Sequence, residues 1–120
     1  MPEARKYTGG CHCGNVRYEV TASLDQGYVC NCSLCAKQGW MLTFAPATQF
    51  TLLSGESAQT DYQFNKKSIH HLFCGTCGVR SFSRGTHPKT GVETIAVNIR
   101  CLEGVDPAAI EVKHVDGKSL

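Results

Sequence analysis

"GGCHCGNVRYEVTA", residues 9–22, joins two patterns: Cys11 and Cys13 one residue apart, then an alternation that puts Val16, Tyr18 and Val20 on one face. In extended backbone, residues i and i+2 point the same way, so the two thiols face one side and the strand after them carries an apolar face. The same alternation recurs in TIAVNI (94–99), through Ile95, Val97 and Ile99, and in AIEVKHV (109–115). FTLLS (50–54), TDYQF (60–64), IHHLF (69–73) and VRSFS (79–83) are shorter strand candidates. Glycines and Asp106-Pro107 punctuate the runs, and no window of about 12 residues keeps a helical period free of such breakers. ASLDQG (22–27) and DPAAI (106–110) each suit a single helical turn. The pattern predicts a small, mainly β domain.

Composition narrows the class. A chain of 120 residues with 42% apolar content supplies one modest core, with no room for a second domain. The net charge of +2 names no partner. MPEARKYTGG carries no secretory pattern, and WMLTFAPATQFTLL, interrupted by Pro46, falls short of the roughly 20 residues of a membrane span. The chain therefore reads as soluble and cytoplasmic. Eight cysteines in a reducing compartment point to metal rather than to a disulfide scaffold.

The cysteines fall into clusters with two spacings. C-x-C occurs at Cys11/Cys13 and Cys30/Cys32, and C-x-x-C at Cys32/Cys35 and Cys74/Cys77. Gly14 and Gly78 follow Cys13 and Cys77, where positive φ lets backbone N–H groups turn toward sulfur. Pairing Cys11 and Cys13 with Cys74 and Cys77 gives a closed four-sulfur zinc site clasping a loop of about sixty residues. Exchange of partners between clusters and iron–sulfur ligation are the competing arrangements.

Cys30, Cys32 and Cys35 supply three sulfurs where zinc takes four. Three protein ligands with an open position is the layout of a catalytic zinc. The alternative closes the site with Cys101, or with a histidine from His70-His71. Cys101 itself follows the strand that ends in Ile99, which predicts that it continues the apolar face of Ile95, Val97 and Ile99 as a small core residue.

Lys66, Lys67, Arg80, Arg84 and Lys89, with His70, His71 and His87, form an acid-free stretch around Cys74 and Cys77. It reads either as a solvated face or as an approach for an anionic ligand, with nucleic acid a weaker version for want of an arginine-rich run. Trp40 and Phe44 are expected in the core or in the wall of a pocket.

Four ordered motifs carry a family resemblance: G-G-C-H-C-G-x-V-x-Y (9–18), C-x-C-S-x-C-x-K (30–37), H-x-F-C-x-x-C-G-x-x-S-F (71–82) and V-N-x-R-C-L-x-G-V-D (97–106). Together the chain resembles the glutathione-dependent formaldehyde-activating enzyme family, which includes centromere protein V, over about residues 7–117. The resemblance implies a mainly β, mss-four-like zinc fold of antiparallel sheets as a single domain over residues 1–120. It also implies two zinc ions: a structural one on Cys11, Cys13, Cys74 and Cys77, and a second on Cys30, Cys32 and Cys35. The implied activity is that of a carbon–sulfur lyase joining an aldehyde such as formaldehyde to a small thiol such as glutathione, or the reverse. His71 is the candidate proton donor. The contrasting expectation is a non-catalytic, zinc-stabilised binding module that contacts protein or nucleic acid.

Overall fold

Tyr18, Val20 and Ala22 are buried while Arg17, Glu19 and Thr21 between them are only partly so, which is the alternation of a half-buried strand. The computed structural model describes residues 4–63, 69–86 and 90–116. Among these, β1 (Arg5–Gly10), β2 (Arg17–Ala22) and β5 (Phe50–Ser54) form a three-stranded antiparallel sheet in the order β1-β2-β5. A seven-stranded sheet runs β10-β3-β4-β9-β8-β7-β6. Its members are β3 (Gly27–Cys30), β4 (Leu42–Pro46), β6 (Gln59–Tyr62), β7 (Ile69–Cys74), β8 (Phe82–Thr86), β9 (Glu93–Asn98) and β10 (Val112–Val115). The architecture is the mainly β, antiparallel-rich single domain that the alternation predicts.

The core lies where the two sheets meet. Tyr18 of β2 and Phe50 of β5 stack at 5.1 Å between ring centroids, and both meet Phe82 of β8, at 5.6 and 4.7 Å. Val16, Val20, Ile95 and Val97 complete the fully enclosed centre. Phe82 has no exposed surface. Truncating it leaves a cavity between two rings that cannot both collapse inward. Phe82→Ala is expected to cost about 3–5 kcal/mol, read as a lowered urea midpoint at unchanged slope. A loss below about 1 kcal/mol would show that the sheets do not meet at this ring.

Several expectations need correction. Residues 22–27 form no helical turn: Ala22 ends β2, Gly27 begins β3, and a bend joins them. Residues 106–110 do turn, as a 3₁₀ helix over Pro107–Ala109, with the Asp106 carboxylate accepting from the Ala108 N–H at 3.0 Å. VRSFS is out of step, because β8 begins only at Phe82. Cys101 does not continue the face of β9. The Asn98 side chain accepts from the Arg100 N–H at 3.1 Å and starts a 3₁₀ helix over Ile99–Cys101, so the chain leaves the strand before Cys101. Trp40 is buried, but Phe44 is 51% exposed, its ring 5.4 Å from that of Tyr28. Phe64, Lys66, Lys67, His87 and Lys89, and the end of the expected core at 117, lie outside the described residues.

One helix was not foreseen. It is α1 (Ser33–Gln38), six residues long and too short to show a period. Its ends carry the signal instead. Cys32 is the N-cap, its sulfur accepting from the Cys35 N–H at 3.3 Å, and Gly39 at φ +69° returns its N–H to the Cys35 carbonyl at 3.0 Å.

One strand pair departs from the antiparallel rule. β10 runs parallel to β3, with Val112 opposite Gly27 and Val115 opposite Cys30. A long connection makes parallel pairing possible, and the chain between β9 and β10 supplies it through two 3₁₀ helices.

Candidate metal centres

Four sulfurs gather at strand ends contributed by the two sheets. Cys11 follows β1, Cys13 lies in the turn into β2, Cys74 ends β7, and Cys77 lies in the turn beyond it. All four Sγ atoms are within 4.8 Å of one another. Cys13 Sγ lies 3.6 Å from the sulfurs of both Cys11 and Cys74, the latter 61 positions away in sequence. That distance is far from the roughly 2.05 Å of a disulfide. It is close to the edge, about 3.8 Å, of a tetrahedron with metal–sulfur bonds near 2.3 Å.

Backbone geometry builds this cluster. The Val16 N–H donates to Cys11 Sγ at 3.3 Å, while the N–H groups of Thr76 and Cys77 donate to Cys74 Sγ at 3.4 and 3.5 Å. Gly14 and Gly78 take φ of +86° and +79°, which turns the chain back toward the sulfurs. The amides of Cys13 and Val79 draw the Cys77 thiol down to a pKa of about 6. A site that stabilises thiolate with amides and packs four sulfurs at tetrahedral spacing fits a soft divalent cation.

Cys30, Cys32 and Cys35 form the second group, again with every Sγ within 4.8 Å. Cys30 ends β3, Cys32 caps α1, and Cys35 sits inside the helix. The Cys32 N–H donates to Cys30 Sγ at 3.4 Å. Burial, then the neighbouring Cys32 sulfur, pushes the Cys35 thiol up to about 12. A buried thiolate here lacks a countercharge, which a bound divalent cation would supply. Among the described residues, no histidine, carboxylate or further cysteine joins this group of three. Cys101 is elsewhere: its Sγ lies 3.7 Å from the Arg80 carbonyl oxygen, and burial, together with the Cys11 and Cys77 sulfurs of the first cluster, pushes its thiol up.

The two histidines part company. His70 is opposite Arg84 and pairs with Asp61 at 2.6 Å. His71 is opposite Ser83 and so projects from the other face of the sheet. Strand register extends that row: Phe44 opposes Ala96, Ala96 opposes Ser83, Ser83 opposes His71, and His71 opposes Tyr62. Directly paired residues share a face. Ala96 packs against the small cluster of Cys35, Trp40 and Leu42, so His71 shares its face with the three-cysteine group. Two strand spacings, about 10 Å, separate His71 from Ala96. Burial first, then the charge of Arg80, lowers the His71 pKa and keeps the imidazole neutral at pH 7.

The basic stretch is divided by the same alternation. Arg80 donates from Nη1 to the His71 carbonyl at 3.2 Å and lies over the Phe73 ring at 4.8 Å. Arg84 belongs to the His70 face, bonded to Glu93 at 2.9 Å and over the Phe50 and Phe82 rings. The described part of the stretch is therefore not one electropositive approach.

A cleft of about 230 Å³ opens at the carboxyl ends of β3 and β10, lined by Val29, Cys30, Asn31, His114, Val115 and Asp116. Sequence reading missed Asn31, His114 and Asp116. Asn31 lies between two cysteines and was visible there, but nothing in AIEVKHV announces that its strand runs parallel beside β3. No helix among the described residues is long and apolar enough to cross a membrane.

A protein-family profile described as glutathione-dependent formaldehyde-activating enzyme matches residues 6–114 of this chain. Among solved structures, the chain is similar to a Rhodobacter sphaeroides protein whose crystal structure is 30% identical in sequence. The match covers 91% of this chain and 100% of that one, with a TM-score of 0.76.

Proposed function

The chain belongs to the glutathione-dependent formaldehyde-activating enzyme family, and from that premise we propose that it is a zinc-dependent carbon–sulfur lyase joining an aldehyde such as formaldehyde to a small thiol such as glutathione. The observation that carries this reading is the three-cysteine group: among the described residues it gathers no fourth protein ligand, whereas the first cluster has four. A purely structural module needs two closed sites.

In this reading Cys11, Cys13, Cys74 and Cys77 hold a structural zinc, and Cys30, Cys32 and Cys35 hold a second. Zinc held by these three cysteines would lower the pKa of a substrate thiol, of which only a few per cent is otherwise ionised at neutral pH. The chain's own residues do the remainder. The N–H groups of Cys32 and Cys35 hold the cysteine sulfurs in place. Trp40, Leu42 and Ala96 form a dry wall beside them. The thiolate sulfur attacks the aldehyde at carbon, the new C–S bond forms, and the carbonyl π electrons move to oxygen. The proton released by the thiol ends on that oxygen, giving the hydroxymethyl thioether, and His71, neutral and on the same face, is the group to which we assign its relay through intervening water. Its eight cysteines require a reducing compartment, so the reaction belongs in the cytoplasm.

Exchange NMR of glutathione with formaldehyde, with and without the protein, is the test, because the adduct also forms unaided. The parent should exceed the blank rate. His71→Gln should lose about a hundredfold of the catalysed rate while retaining both metal ions by elemental analysis. A parent rate equal to the blank overturns the lyase reading, and an undiminished variant removes His71 from the mechanism.

A further inference from the structure

Arg80 holds a positive charge on the face that carries the three-cysteine group. Its guanidinium lies over the Phe73 ring at 4.8 Å, and Phe73 stands two residues after His71 in β7, so both project from one face of the sheet. Strand register carries that face through Ser83 and Ala96 to Cys35, Trp40 and Leu42. Asn98 fixes the backbone of Arg80 in the same neighbourhood. Its Nδ2 donates to the Arg80 carbonyl at 3.0 Å, and Asn98 is itself opposite Leu42.

The guanidinium is committed on one side only. Nη1 donates to the His71 carbonyl at 3.2 Å, and among the described residues the Nε–Nη2 edge has no hydrogen-bond partner. No acid neutralises it either. The ion pairs of the described residues join Lys6 to Glu19, Arg17 to Glu103, His70 to Asp61 and Arg84 to Glu93. Lys37 and Arg100 also lack such a pair, but they are exposed, whereas Arg80 is half-buried and held by a ring and a carbonyl. A guanidinium fixed in this way, with two parallel N–H donors to spare, matches a carboxylate.

We propose that Arg80 binds a carboxylate of the thiol substrate, and so makes the enzyme selective for peptide thiols over small mercapto acids. The inference rests on the lyase reading for the position of the sulfur. His71, whose carbonyl Arg80 contacts, is about 10 Å, two strand spacings, from Ala96 beside the cysteines. A carboxylate one or two residues beyond a cysteine covers such a length, at about 3.3–3.6 Å per residue, and one attached close to the sulfur does not. Glutathione carries such a carboxylate on either side of its cysteine.

Glutathione and its diethyl ester, each with formaldehyde, test the preference in the full-length zinc-loaded protein. Arg80 also acts on His71 through its charge, so the informative quantity is the change in the acid-to-ester ratio of kcat/KM between parent and Arg80→Gln. The parent should favour the acid by about tenfold more than the variant does, and Arg80→Lys, which keeps the charge without the fork, should fall between them. A second readout uses the parent and no aldehyde. Titration with glutathione should move the Arg80 Nε–H resonance downfield, as a new hydrogen bond does, and titration with the diester should not. With turnover, an unchanged ratio overturns the carboxylate site and leaves the lyase reading intact. Where Arg80→Gln does not fold, the resonance decides in its place. Without turnover of any thiol the lyase reading falls, and the resonance again decides: a shift with the acid alone sustains the carboxylate site, and its absence overturns that as well.

Discussion

Cys74→Ser is expected not to fold cooperatively under conditions where the parent is stable. The substitution removes one of four sulfurs that connect the turn between β1 and β2 to the end of β7. A crosslink closing a loop of 61 positions restricts the unfolded chain by about 4 kcal/mol on chain-entropy grounds. Binding of a structural zinc is larger again, of order 10 kcal/mol, against a total stability of about 5–15 kcal/mol for a domain. The shortfall exceeds what a core of this size holds in reserve. Thermal melts followed by circular dichroism, with metal content measured on the same samples, check it. A Cys74→Ser protein that melts with the parent would show that the first cluster is not a structural metal site.

Cys32→Ser should give the opposite profile. It removes a sulfur from the three-cysteine group and leaves the first cluster untouched. Serine is also a favoured N-cap, so the bond from the Cys35 N–H keeps an acceptor and α1 keeps its start. The substitution thus separates ligation from capping. The expected result is loss of one of two zinc ions, a thiol–aldehyde rate reduced to the uncatalysed value, and a stability change within about 1 kcal/mol. Unfolding of this variant, together with a parent that shows no rate above blank, would favour a second structural site in a binding module.

How much of this was visible in the chain depends on the length of the pattern. β2 and β9 were legible because each alternates over six residues, long enough for a period of two to show. The grouping of cysteines was legible because C-x-C and C-x-x-C are local spacings that need no knowledge of topology. β3 and α1 were not: GYVC shows no alternation of apolar and polar residues, and a helix of six residues is shorter than the window that defines its period. Cys101 shows a different limit: a side-chain cap at Asn98 ends the strand, and apolar periodicity carries no information about caps. Phe44 alternates correctly but on a face that the fold leaves half open. The Asp116 cleft was out of reach for a third reason, since it depends on which two distant strands become neighbours.

That neighbour relation has a consequence for the order in which the protein is made. Asn31 and Asp116 meet across 85 positions of sequence, and β10 is held to β3 at both ends, by the Gly27 N–H to the Glu111 carbonyl and by the Asn31 N–H to the Val115 carbonyl. A ribosome has synthesised Cys30, Cys32 and Cys35 long before it reaches β10, at about 5–20 residues per second. During those seconds the cysteine loop lies at an uncovered sheet edge, with its backbone N–H groups unpaired on one side. Contacts of such separation are the slow ones to form. The nascent chain therefore exposes its three adjacent thiols before the strand that walls them exists.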